Sequence, residues 1–473
     1  MKVYRKRVSS ILILSIFLLI DFGAFLMGTS LEVDSVMFFS GVYALSTLIL
    51  TLTFIYKATK KLNFFFFFMG IGYIFEFGQS ISVCLGGYDS LSENWFLNIN
   101  SGYFSSAEIW SAFFLSHMLM VSVVMAYILC YKKEIRGVQG NYGDEHKTQY
   151  VYIGYILLIL SIIPTFYLIR KEIITVQTLG YGATLQGKHG VDKILELVSE
   201  FFPVSTIWLL LFDQRKQSQR MIIGLIIIYM IMELAGGSRI QIFRFVVILF
   251  LIYTLYYKTI KTKQMISFMI LGLIGVFALS LVSSVRTSLY FTTDVSELLK
   301  TAANDLLENN FITSTIRELG NTQVINALVF KQCPEIVDYA YGTSYLKMFF
   351  SAIPNFWGGI HPSAIDVDSV FSPYYTNLCG LGSSFVAEAY WNFGMFSVLF
   401  CALLGKIFAC LDSKLNELCL KKSSDTKMFL IFYNVFLLIF WVRSSCNGFG
   451  RSMLYASIPV LMSKMKFKSN TRL

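Results

Sequence analysis

The sequence predicts an all-α, polytopic integral membrane protein with about twelve transmembrane helices and one large extracytoplasmic loop. Of its 473 residues, 55% are hydrophobic and 14% are charged, a balance that leaves a soluble fold too little polar surface to cover its core. Apolar runs on the order of 20 residues, long enough to cross a bilayer, recur along the chain. They stop for close to a hundred residues between Arg286 and Gly382, although loops longer than roughly 12–15 residues are uncommon and usually functional.

The predicted spans divide the chain into three parts. Residues 1–284 form an N-terminal membrane bundle of about nine spans, residues 285–382 form the loop, and residues 383–473 form a C-terminal bundle of about three spans. The first span has a long apolar run with no small-residue cleavage site after it, which indicates an uncleaved anchor. The predicted spans are 11–28, 36–56, 62–85, 109–131, 150–169, 195–212, 221–235, 239–257, 265–284, 383–411, 428–443 and 451–463.

Basic residues set the orientation of these spans. Cytoplasmic loops carry an excess of Lys and Arg, and alternate gaps in this chain follow that rule, whereas the gaps 29–35 and 86–108 contain neither residue. Both termini are therefore predicted to be cytoplasmic. The net charge of +10 is then a topology signal, so nucleic-acid binding is not expected. The basic clusters lie at 2–7, 57–61, 132–136, 215–220, 258–263, 414–422 and 464–468.

The cysteines and carboxylates give no support for a metal or other cofactor. The eight cysteines include no Cys-x-x-Cys pair, which argues against zinc and against a thioredoxin-like site. A disulfide among Cys333, Cys379 and Cys446 is left open. Asp366 and Asp368 have a spacing that can hold a metal, but so short a pattern recurs by chance. No metal and no cofactor are predicted.

Two short outer turns, 236–239 and 448–452, combine glycines with an arginine. The glycines allow the tight backbone that ends one helix, and Arg239 or Arg451 then falls in the first turn of the next helix, with Ser238 a suitable N-cap. A helix N-terminus presents free N–H groups, and arginine adds a fork that fits phosphate. The spans 221–235 and 451–463 would measure only about 20–22 Å, against a hydrocarbon thickness of roughly 30 Å, which predicts that these turns lie below the outer surface.

Four arginines are expected at this outer level. Arg286 and Arg443 end outward-going spans, and charges at membrane depth usually mark function. We therefore predict that at least two of Arg239, Arg286, Arg443 and Arg451 contact an anionic ligand. The alternative for a lone arginine is a snorkelling anchor, which is the favoured interpretation of Arg244.

Candidate acid–base residues lie in and just after the loop. His361 has the side chain whose ordinary pKa is nearest neutrality, although a lone loop histidine is more often merely exposed. Asp366 and Asp368 are further candidates. Glu388 lies within the span that begins at 383, where a carboxylate is expected either to pair with an arginine or to act as a base.

The loop is predicted to contain helices and aromatic side chains. Helices are expected at 294–307, as an amphipathic helix with a capping box, and at 314–331 and 344–352. The aromatic residues can stack on sugars, yet the same residue types are also expected at a membrane interface, so both interpretations stay open. The phenylalanine run 64–68 is expected to face lipid. The candidate sugar-stacking residues are Trp357, Tyr374, Tyr375 and Trp391.

Several segments together resemble the O-antigen and oligosaccharide repeat-unit polymerases of the Wzy type. They are Gly-Gly-Ser-Arg at 236–239, Arg-Glu-Leu-Gly at 317–320, Leu-Gly-Ser-Ser at 381–384 and Ala-Glu-Ala-Tyr-Trp-Asn-Phe-Gly at 387–394. The similarity also covers the architecture of many spans with one large late loop.

This resemblance implies a glycosyltransferase of the GT-C type in the bacterial inner (plasma) membrane. It would join undecaprenyl-pyrophosphate-linked oligosaccharides on the outer face, among membrane lipids, and a chain-length regulator is left open as a further partner. Arg239 and Arg286 would grip the pyrophosphate, Arg317 would be a further contact, and a loop residue would activate the acceptor hydroxyl.

Two other functions remain as alternatives. An O-antigen ligase uses a similar donor with a lipid A core acceptor. A flippase for the lipid-linked unit would not be an enzyme, and it should carry charges along a midplane cavity and have short outer loops. The outer arginines and the large loop favour the polymerase.

Overall fold

The computed structural model describes residues 2–86, 103–132, 147–179, 191–238, 240–257, 311–353, 361–375, 381–420 and 426–464. Every regular element within these ranges is a helix, which confirms the all-α prediction. The helices are α1 Lys2–Met27, α2 Val33–Thr59, α3 Phe64–Cys84, α4 Ser106–Cys130, α5 Lys147–Leu179, α6 Val191–Ser199, α7 Phe201–Phe212, α8 Lys216–Ala235, α9 Ile240–Leu251, α10 Phe311–Leu319, α11 Asn321–Gln332, α12 Thr343–Lys347, α13 Val367–Phe371, α14 Phe385–Phe393, α15 Ser397–Leu420, α16 Thr426–Leu438 and α17 Asn447–Lys464.

Within the described ranges, 8 helical stretches are long and apolar enough to cross a membrane, as expected of a polytopic membrane protein. They match the predicted spans from 11–28 to 221–235 and the one at 383–411. The predicted spans 239–257 and 428–443 correspond to shorter apolar helices. The predicted span 265–284 and the predicted helix 294–307 lie outside the described residues.

Two helices are longer than the sequence predicted. α8 begins at Lys216 and has 20 residues, and α17 begins at Asn447 and has 18 residues, so each covers about 27–30 Å. The prediction of unusually short spans was therefore wrong, because polar residues add a turn that hydropathy does not detect. Arg451 accordingly lies beyond the first turn of α17.

The glycine turn after α8 behaves as predicted. Gly237 has φ +86°, the left-handed conformation that glycine adopts at least cost. The N–H of Ser238 then donates to the carbonyl of Glu233 at 2.9 Å, which satisfies one of the free carbonyl groups at the helix end.

The chain forms two compact units. Unit 1 takes its residues from 1–135, 260–414 and 438–449, and unit 2 from 136–259, 415–437 and 450–473. Each unit therefore draws on both of the membrane bundles predicted from the sequence.

In unit 1, α10 and α11 pack directly on α3, although they belong to the predicted loop. Residues 322–329 of α11 are all buried, and several of them share a hydrophobic core with α2, α4 and α14. The phenylalanines Phe64, Phe65 and Phe68 of α3 are also fully buried and pack on Phe408 of α15. The prediction that these three rings face lipid was wrong, because α15 covers that part of α3.

Two glycines permit the close contact between α3 and the α10–α11 joint. A Cβ on Gly320 would lie 2.4 Å from the backbone nitrogen of Gln79, and a Cβ on Gly78 would lie 2.4 Å from the carbonyl oxygen of Ile316. Backbone therefore meets backbone at this crossing, and neither side has a flexible group that could move aside.

Replacing Gly320 with alanine is expected to destabilise the protein by about 1–3 kcal/mol, because the added methyl group forces α10 and α11 away from α3. Thermal unfolding of the purified protein in detergent measures the effect. Gly224→Ala in α8 is the matched control, because nothing lies within 4 Å of a Cβ at that position. An unchanged unfolding temperature in Gly320→Ala would contradict the backbone contact.

A second buried feature of unit 1 joins α1 to α2 and α4. Asp21 and His117 are fully buried, and His117 Nδ1 lies 2.7 Å from Asp21 Oδ2. The hydroxyl of Tyr43 donates to Asp21 Oδ1 at 2.9 Å, and Thr47 Oγ1 lies 2.9 Å from His117 Nε2. Polar groups inside apolar helices are costly unless paired, and these are paired with one another.

Candidate functional site

The loop meets the segment between α16 and α17 in unit 1. The hydroxyl of Ser445 donates to Asp366 Oδ2 at 3.1 Å, and the amide of Asn447 donates to the carbonyl of Ser363 at 3.3 Å. These contacts join the short stretch 361–375, which carries three of the candidate acid–base residues, to residues 443–447. We call this contact region the junction.

The two loop aspartates hold different positions at the junction. Asp366 caps α13, since its Oδ1 accepts from the N–H of Ser369 at 3.0 Å. Asp368 Oδ1 accepts from the N–H of Gly382 at 2.9 Å and from the hydroxyl of Ser372. Burial raises the pKa of Asp368 above its ordinary value, although both of these hydrogen bonds oppose the shift.

Arg443 is half-buried at the same junction. It follows the 3₁₀ turn Ile439–Val442 that ends α16, and its guanidinium lies 5.8 Å from the ring centre of Phe75. A Cβ on Gly382 would lie 3.9 Å from Arg443 Nε. Because Gly382 also binds Asp368, the arginine and this carboxylate flank the same residue.

Glu388 is completely buried in α14 and accepts four hydrogen bonds. Its Oε1 accepts from the hydroxyl of Ser344 at 2.9 Å and from the thiol of Cys446 at 3.0 Å. Its Oε2 accepts from Trp441 Nε1 at 3.0 Å and from the N–H of Cys446 at 2.8 Å. All four donors are neutral groups.

His361 is folded back on its own loop. Its Nε2 lies 2.9 Å from the carbonyl oxygen of Ile353, which can only accept a hydrogen bond, so Nε2 carries the proton. Nδ1 then accepts from the N–H and the hydroxyl of Ser363, at 3.2 Å and 2.6 Å.

The other candidate arginines with described positions are Arg451 and Arg317. Arg451 belongs to unit 2 and forms an ion pair with Glu196 at 3.1 Å. Arg317 is buried on α10, and its carbonyl accepts from Gln79 Nε2 at 2.8 Å. Arg239 and Arg286 lie outside the described residues.

Arg244 departs from its sequence interpretation. It is buried in unit 2, with its guanidinium 4.0 Å from the ring centre of Phe436 and its Nε donating to the carbonyl of that residue at 3.3 Å. The prediction of a snorkelling anchor was wrong, because an aromatic ring and a backbone carbonyl supply partners inside the protein.

The aromatic candidates also differ in their surroundings. Tyr374 has 45% of its surface exposed. Tyr375 and Trp391 are buried, and Trp391 donates to the carbonyl of Asp338 at 3.2 Å. Trp357 lies outside the described residues. Of the described three, Tyr374 alone is exposed.

Sequence reasoning missed the polar groups that complete the junction. The residues of this set that were not predicted as site residues are Ser344, Trp441, Ser445, Cys446 and Asn447. The only sequence signal was a short run of small polar residues after an apolar span. Cys446 is a free thiol, as is Cys333, whereas Cys379 lies outside the described residues.

The chain matches one family model across almost its entire length. That model is named O-antigen polysaccharide polymerase Wzy and matches residues 10–469. Searches of curated proteins and of solved structures each gave no match. Because the match covers nearly the whole chain, this multi-pass membrane protein belongs to the O-antigen polysaccharide polymerase Wzy family.

Proposed function

We propose that this O-antigen polymerase uses undecaprenyl pyrophosphate as the lipid carrier and acts as a GT-C-type glycosyltransferase on the outer face of the bacterial plasma membrane. The observation that best supports this proposal is the junction, where the loop aspartate Asp368 and the arginine Arg443 flank Gly382. Chain extension from a lipid-pyrophosphate donor needs both a cation and a base, and these two side chains have that chemistry. The basic clusters of the sequence support cytoplasmic termini, and hence an outer position for the loop.

The proposed reaction forms a bond between an acceptor hydroxyl oxygen and the anomeric carbon of the donor sugar. The bond from that carbon to the pyrophosphate oxygen breaks, and the leaving pyrophosphate takes the electron pair. Arg443 stabilises the negative charge that develops on this oxygen. Because pyrophosphate is a weakly basic leaving group, this stabilisation matters more than a proton donor would.

Asp368 is the proposed base that accepts the proton of the hydroxyl. An efficient base has a pKa nearer the working pH than that of an ordinary aspartate, and burial shifts the pKa of Asp368 in that direction. His361 is less suited, since its Nδ1 is already engaged by Ser363. Asp366 remains a second candidate base at the same junction.

Other groups complete the proposed site. Arg239 and Arg286 are proposed as further pyrophosphate ligands on the strength of the family resemblance. Tyr374 is the proposed sugar-stacking residue, because it is exposed and an aromatic ring can cover an apolar sugar face.

Deletion of the gene tests the function. A strain without the polymerase should place single repeat units on its lipopolysaccharide core, and gel electrophoresis of the surface polysaccharide should show one short band in place of a ladder. A plasmid copy should restore the ladder. A core with no repeat unit at all would instead indicate a ligase or a flippase.

A further inference from the structure

We propose that Glu388 is a positioning residue rather than a catalytic base. Its buried carboxylate would fix the segment 443–447 against the loop and so set the geometry of Arg443 and Asp366. The inference rests on the proposed function and assigns a role within the same site.

The hydrogen bonds of Glu388 leave it little capacity for base chemistry. A carboxylate has about four acceptor positions on its two oxygens. Ser344 and Cys446 Sγ occupy one oxygen, and Trp441 and the N–H of Cys446 occupy the other. The side chain is 0% exposed. An acceptor hydroxyl could reach this carboxylate only by displacing one of these protein donors.

The same four bonds join separate parts of unit 1. Ser344 belongs to α12 in the loop, Trp441 lies in the 3₁₀ turn after α16, and Cys446 lies just before α17. Asn392, one turn after Glu388 in α14, donates to Ser344 Oγ at 2.7 Å. Ser344 therefore accepts from Asn392 and directs its own proton to Glu388.

Cys446 connects this carboxylate to the junction. The residues on either side of it are Ser445, which binds Asp366, and Asn447, which binds the carbonyl of Ser363. Arg443 lies three residues earlier on the same short segment. A displacement of Cys446 would consequently move the phosphate-binding arginine and the anchor of the loop together.

The four hydrogen-bond donors around Glu388 also predict which substitutions of this residue disturb the site. Each of the four partners presents a hydrogen to Glu388, so the anionic carboxylate satisfies all of them. In Glu388→Gln, the amide nitrogen would point its hydrogens at the hydrogens of two donors. Glu388→Asp keeps the charge and all four acceptor positions, but its side chain is one methylene shorter.

The test uses the full-length protein in proteoliposomes with lipid-linked repeat units, measuring kcat and KM across pH. Glu388→Gln is expected to lower kcat by about 10–100-fold, because a misplacement on the order of 1 Å is enough for such a loss. KM should change less than about threefold. The acidic limb of the pH profile, which is the fall in kcat as the pH is lowered, should occur at the same pH as in the wild type. Glu388→Asp should recover part of kcat. Glu335→Gln, an exposed residue outside the site, is the matched control.

Loss of the acidic limb in Glu388→Gln would overturn the proposal and make Glu388 the base, and wild-type kcat in that variant would overturn it as well. If Glu388→Gln does not fold, Ser344→Ala tests the positioning role instead, because it removes one hydrogen-bond donor and leaves the carboxylate of Glu388 in place. A roughly threefold or larger fall in kcat with an unmoved acidic limb supports positioning, and an unchanged kcat refutes it. If the wild-type protein extends no chain, the proposed function itself fails before any variant is compared.

Discussion

Arg443→Ala is expected to reduce the rate of chain extension by about 100–1,000-fold, the usual cost of removing a group that stabilises developing negative charge. Membrane expression should be unchanged, because the side chain is only half-buried and lies outside the hydrophobic core. The measurement is the polymerisation rate in proteoliposomes, together with the polysaccharide ladder of cells that carry only the variant. Short chains or single repeat units are the expected product.

Arg220→Ala is the matched control for Arg443→Ala. Arg220 is an exposed arginine in the first turns of α8, outside the junction, so its loss removes the same charge without touching the site. Arg443→Lys should retain only part of the activity, since an ammonium group cannot make the two parallel hydrogen bonds of a guanidinium. A normal ladder in Arg443→Ala would exclude this arginine from pyrophosphate binding.

Asp368→Asn is expected to reduce chain extension by about 100–10,000-fold, the typical contribution of a general base. Burial raises the pKa of Asp368, so its carboxylate becomes protonated at a higher pH than an ordinary aspartate, whose pKa is about 3.9. Only the deprotonated form can accept a proton. Wild-type activity should therefore fall as the pH is lowered through this raised pKa, and the acidic limb should be missing in Asp368→Asn.

One control variant and two variants of the other candidate bases test the assignment of Asp368. Asp34→Asn removes an exposed carboxylate in the first turn of α2 and should leave activity unchanged. His361→Ala should retain the acidic limb, and Asp366→Asn should lower activity without abolishing that limb. If the limb instead persists in Asp368→Asn and disappears in one of the other two variants, that residue is the base.

The spans were predictable because an apolar run is a local property that hydropathy detects directly. Their ends were less predictable, as α8 shows, since the polar residues at 216–220 continue the helix. The burial of α11 could not be read from its sequence, which contains Asn321, Gln323 and Asn326 and resembles a surface helix. Those polar side chains find partners on α3, and a partner so distant in sequence leaves no local signal.

The candidate site was predictable in its residue types but not in its arrangement. Asp366 and Asp368 stood out as carboxylates of the large loop, and Arg443 stood out as a charge at the end of an apolar span. That Ser445 would bind Asp366 depends on the folding of the loop onto residues 443–447, which no spacing encodes. The sequence left open whether Glu388 pairs with an arginine or acts as a base, and its contacts with neutral donors depend on segments that are distant along the chain.

The pairing of α3 with α11 has a consequence for the order in which the protein is made. Asn326 donates to Glu76, and Gln323 and Ser80 exchange two hydrogen bonds, at 2.7 Å and 3.1 Å. Since synthesis proceeds from the N-terminus, α3 leaves the ribosome long before α11 exists. During that interval the polar side chains of α3 must find hydrogen-bond partners in water, in a neighbouring helix or in the insertion machinery. Unit 1 therefore acquires its finished interior only late in translation, and the first four helices cannot mature as an independent domain.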